Sequence, residues 1–192
     1  MSDVNLEQIA RAIDLVLRAH LPQSLAEVAQ QMESQDADYY GAIGEPVPNT
    51  PLDDPSYYFV GHDPLIMERP LELFPIVATM VHHHAPAGGG DNYARIANES
   101  FIEVFVYTED PDTSYRVASR YARAVHKLIL SSGNFGLEQV EIIDVEPDVD
   151  VSNSFTRRKG NVDNTTLYVQ GARIDFTVSQ NQVVTEQDID QW

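Results

Sequence analysis

The sequence contains no cysteine, which excludes a disulfide framework, a thiolate metal site and a cysteine nucleophile together. Tryptophan is limited to Trp192, and 12 Lys and Arg stand against 30 Asp and Glu, a formal net charge of −18 over 192 residues. Such a surface gathers like charge beside phosphate instead of releasing counterions, so the chain as a whole is not expected to hold nucleic acid. DNA could still slide past it without sticking. No apolar stretch approaches the roughly 20 residues that span a bilayer, and Met1-Ser2-Asp3-Val4-Asn5 lacks the basic start and apolar run of a signal peptide. A protein of the cytosol, or of a particle assembled there, is expected. The apolar share of 43% is ample for one core, and the length suits a single domain over 1–192.

Helical spacing is clearest at Leu6, Ile9, Ala10, Ile13, Leu17 and Leu21, and Pro22 is expected to end that helix. A short second helix is expected over 24–32, peripheral, with Ser24 and Glu27 forming a capping box. Residues 41–70 hold six of the chain's prolines and form an excursion in which long helix and central strand are excluded. Its tyrosines would be costly to leave in water, so it should lie against its own domain or a neighbour. A strand is expected over 73–82, then a flexible turn at Gly88-Gly89-Gly90 within a loop of some sixteen residues, then a long strand over about 99–108. That strand alternates Ile102, Val104 and Val106 with Phe101, Glu103, Phe105 and Tyr107, giving one apolar and one mixed face.

Asp110-Pro111-Asp112 should cap a helix reaching about Ser132, with Val117, Tyr121, Val125, Leu128 and Ile129 toward the core and Gly133 as its stop. Strands follow at 140–145 and 167–178, the second with a bulge expected near Gly171. An extended arm, 146–165, runs between them, and the tail 185–192 is expected to be mobile. The order predicts an α+β fold: one mixed or antiparallel sheet of about four strands, flanked by helices on one face.

Chemistry is sparse. His82 and His84 could share an ion, completed by Asp91 or His62, but no signature spacing supports a site. The glycine run lacks the Lys-Ser or Lys-Thr of a phosphate loop, and there is no Gly-x-Ser-x-Gly elbow. Acids are so numerous that chance pairs are guaranteed, and none stands out as a general acid or base. No catalytic, cofactor or metal residue is therefore assigned, and no enzyme activity is expected. What does stand out is a basic helical stripe, Arg116, Arg120, Arg123 and Lys127, and a basic run in the arm, Arg157, Arg158 and Lys159. The stripe is a solvated face, an intersubunit contact with an acidic surface such as a ring of identical copies would supply, or a direct DNA contact; the arm's run is a solubilising loop end or the tip of an arm reaching a partner.

The segments 101–107 (Phe-Ile-Glu-Val-Phe-Val-Tyr), the helix 115–130 and 168–176 (Tyr-Val-Gln-Gly-Ala-Arg-Ile-Asp-Phe), in this order behind an N-terminal helix, resemble the tail terminator or tail completion proteins of tailed bacteriophages. The resemblance is one of element order and size over 6–21 and 73–178; the excursion 41–70 departs from compact members of that family. It implies a structural virion protein of the tail and neck, assembled in the host cytoplasm. A homohexameric ring would close the head-proximal end of the tail tube, bound to the tube protein below and the neck or head-completion protein above, with DNA passing through unbound. Alternatives are another neck, head-closure or baseplate protein, or a metal-binding enzyme built on His82 and His84.

Overall fold

The computed structural model describes residues 6–40, 57–61, 74–90, 93–133, 135–137, 140–145, 154–158 and 165–183. The fold is α+β, helices laid on one face of a single sheet. The helices are α1 (Leu6–Gln35), α2 (Ala37–Tyr40) and α3 (Pro111–Ser132), and the strands are β1 (Tyr58–Val60), β2 (Ile76–Gly90), β3 (Tyr93–Thr108), β4 (Val140–Val145), β5 (Ser154–Arg158) and β6 (Thr166–Val183). The sheet order is β1-β2-β3-β6-β4, with β5 also paired to β6. The β2–β3, β3–β6, β4–β6 and β5–β6 pairs are antiparallel, while β1 joins β2 in parallel.

Period-two alternation sets the core. Ile102, Val104 and Val106 lie opposite Ile174, Ala172 and Gln170 on β6, and Thr79 and Val77 oppose Ile102 and Val104 on β2. With Phe176 and Val178, the apolar members of these pairs meet Val117, Tyr121, Val125 and Ile129 of α3 and Ile9, Ile13, Leu17 and Leu21 of α1 in one buried cluster. Each fully buried aliphatic side chain there contributes about 1.5–3 kcal/mol. The mixed face of β3 is largely covered too: Phe105 packs with Phe74, Ile76 and Val169, and Phe74 meets Tyr107 edge-on at 5.6 Å.

Several expectations are corrected. Pro22 does not end α1, which runs on to Gln35. The proline forfeits one bond to the carbonyl of residue 18, and burial of Ser24, Leu25 and Val28 beyond it outweighs that loss. The run 24–32 is thus core helix, and no capping box forms: the Ser24 hydroxyl donates to the Ala124 carbonyl at 3.0 Å, and Glu27 is engaged by Lys127 and Gln23. The expected sixteen-residue loop is strand instead, since Gly88, Gly89 and Gly90 pair with Arg95, Ala94 and Tyr93. No bulge interrupts β6 at Gly171, which sits directly opposite Phe105. The apparent phase change arises because Leu167 and Val169 are buried on one face of β6 whereas Ala172, Ile174 and Phe176 are buried on the other.

Within the excursion 41–70, residues 57–61 include strand β1, and Tyr57 and Tyr58 are core residues. The rest of the excursion lies outside the described residues, as does the tail. Of the arm 146–165, the portion 154–158 doubles back as β5 against the start of β6.

Candidate interaction surfaces

Helix α3 owes its start to Asp110, whose carboxylate accepts from the Thr113 N–H at 2.7 Å, with Pro111 in the first turn where its missing N–H costs nothing. The hydrogen bond from Thr113, aided by the charge of Arg116, holds the Asp110 carboxyl below the usual carboxylate range. The basic stripe expected along this helix is broken up. At ~100° per residue, Arg120 stands only about 40° from Ala124, and Ala124 is where α1 docks through Ser24. Arg120 is accordingly 2% exposed, a buried residue and not part of an open basic face. Lys127 is exposed but committed within the chain, bridging to Glu27 of α1. Arg116 is half-buried, and Arg123 stays exposed. Of the arm's basic run, Arg157 and Arg158 lie in β5 opposite Leu167 and Thr166; Lys159 falls outside the described residues.

The free flank of α3 is formed instead by Tyr115, Ser119, Arg123, His126 and Leu130, which share an ~80° arc away from both α1 and the core. Tyr115 and Leu130 are 54% and 62% exposed. Asp112, exposed in the first turn, falls on the same arc, so the flank carries one exposed charge of each sign, Asp112 and Arg123.

Between α1 and the end of α3 lies an open cleft of about 400 Å³, bordered by His20, Gln23, Glu27, Lys127, Ser131 and Phe135. The Glu27 carboxyl there is held below its ordinary value by hydrogen bonds from Lys127 and Gln23. Farther along α1, Asp14 is buried beside Arg18 at 2.8 Å, and the Arg18 guanidinium stands 5.5 Å from the Tyr58 ring centre. Burial raises the Asp14 pKa, and Arg18 offsets part of that rise.

One surface feature was missed in the sequence. On the sheet face away from the helices, Arg173 stacks over Phe101 at 3.8 Å and pairs with Asp175 at 2.6 Å. The signal was there in the spacing, because Arg173 and Asp175 are two apart on one strand and therefore share a face. The His82–His84 run lies within β2, where the register shifts between Val81 and His83; its side chains are outside the described ones. Among the described residues, no three His, Asp or Glu side chains gather as a metal site.

No protein-family model matches the chain, and no curated protein matches it significantly.

Proposed function

We propose that the protein is a structural subunit of a tailed phage: a tail terminator that forms a homohexameric ring at the head-proximal end of the tail tube, joins the tube to the neck, and lets DNA pass through its lumen. The observation that carries this reading is the reach of the sheet. Strands β2, β3 and β6 run 15, 16 and 18 residues, against roughly 3–10 in ordinary globular sheets. At ~3.3 Å per residue these strands span about 50–60 Å. Strands β2 and β6 stay paired to β3 along almost their whole length, to Gly90 and Val183. A sheet prolonged in this way has geometry to offer neighbours above and below.

Charge supports the same reading. At −18 per copy, a ring of such subunits repels phosphate around its channel, so a genome moves through it without being retained. The test is location. Gold-labelled antibody against the recombinant protein should mark tailed particles from the same source once, at the junction of head and tail. Labelling along the tube, or of no particle at all, would refute the assignment.

A further inference from the structure

Asp14 is the one acid among the described residues that is shut away from water, 5% exposed in a chain with 30 Asp and Glu. Its two oxygens are unequally served. Oδ2 lies 2.8 Å from the Arg18 Nε, a contact of charge without an aligned hydrogen bond, and Oδ1 has no hydrogen-bond partner. An ionised carboxylate offers about four acceptor sites, and leaving them unmet in a buried place weighs against the charged form.

The described residues that cover this side of α1 belong to the edge of the sheet. At ~100° per residue Asp14 stands about 140° around α1 from Glu27, which faces α3 through Lys127. Arg18 is only about 40° from Asp14, and its guanidinium stands over the Tyr58 ring of β1. Tyr58 is buried and pairs with Val77 of β2. Strand β1 is lightly tied: it has three residues, joined in parallel to β2 as the end strand of the sheet, with one further bond from the Gly61 N–H to the Thr79 carbonyl at 2.8 Å. Parallel pairing is the less stable kind, and so short an edge strand is where local opening is expected. Thr79, paired with Val60 of β1, is itself fully buried with its hydroxyl unpartnered, so opening of this seam brings water to two unmet oxygens.

We infer that the proton on Asp14 sets how firmly β1 is held: the strand closes on α1 when Asp14 is neutral and loosens when Asp14 is ionised. Closure keeps water from the carboxyl, and burial favours the neutral form, so proton and strand strengthen each other's hold by the same factor. The closed form therefore binds the proton more tightly than the open one, and closure, favoured in acid, declines as pH rises through the pKa of the closed form. The charged groups on the same side of α1 are Arg18, one turn ahead, and exposed Arg11 and Glu7 behind; Arg18 offsets part of the effect of burial. Tyr57 and Tyr58 are the ionisable groups at β1. Residues 76–81 of β2 carry none, and His82, His83 and His84 follow beyond Thr79, the last residue that β1 pairs with.

Amide hydrogen exchange read by mass spectrometry tests this on the whole chain. Protection of 57–61, corrected for the intrinsic pH dependence of exchange and taken relative to 101–106 of β3, should fall at least about twofold between pH 4 and pH 7.5. In Asp14→Asn, which keeps the size of the side chain and cannot ionise, that protection should stay level. Arg18→Gln removes a charge that favours ionised Asp14, so the fall should move to higher pH. Level protection in the parent overturns the inference. So does a fall that persists in Asp14→Asn or keeps its place in Arg18→Gln, or a loss of protection shared equally by 101–106. Each of these results leaves the ring reading untouched.

Discussion

Arg120 and Arg123 show how little a stripe on a helical wheel says about surface. They differ by three residues and by about 60° around α3, yet one is shut in on the side of α1 and the other is exposed. Sequence spacing gave the angle of each but not where α1 would lie, because the docking of Ser24 on Ala124 joins positions 100 residues apart. Replacing Arg120 with Glu should therefore destabilise the fold by about 3 kcal/mol or more, since a reversed charge is placed in a buried site. The Arg123→Glu change should stay within about 0.5 kcal/mol; denaturant titration of the two variants gives the comparison. Asp14 supplies a pH signature at the same scale. Its pKa in the fold lies above the ordinary 3.8 because of burial, so the native state binds its proton more tightly than the unfolded chain does. Its contribution to stability is then greatest at or below pH 3.8 and diminishes as pH rises from 3.8 through the folded pKa. In Asp14→Asn that decline should vanish, and urea midpoints of parent and variant between pH 3.5 and 7 should show a gap that changes with pH. A constant gap would contradict the assignment.

Among the elements, α3 was legible almost to the residue because a capping Asp, an amphipathic stripe and a terminal Gly agree with one another. The α+β layering and the alternation of β3 were legible for the same reason. Proline and glycine misled where tertiary pairing overrode local preference: Pro22 lies inside α1, and Gly88–Gly90 lie in a ladder with β3. Pro22→Ala should restore the missing helical bond and raise stability by about 1–3 kcal/mol. Leu25→Ala, in the half of α1 beyond the proline, should lower it by about 2–4 kcal/mol if that half is core as described. Thermal denaturation of both variants reads these opposite shifts. For the cap, Asp110→Ala should lower the melting temperature at neutral pH. Its folded pKa lies below the ordinary 3.8, so the cap's contribution is present above that value and disappears as pH falls through the folded pKa; the melting difference should close in strong acid.

For the whole molecule, composition alone identified an acidic body with surplus charge, but not that α1 and α3 would lie side by side across one face of the sheet. The central claim, that copies of this chain close into a ring around a channel, is tested most directly by electron microscopy of the purified protein under associating conditions. Closed rings with an open centre and one repeated subunit contact are predicted; compact single particles, or open filaments at every salt concentration, would contradict it.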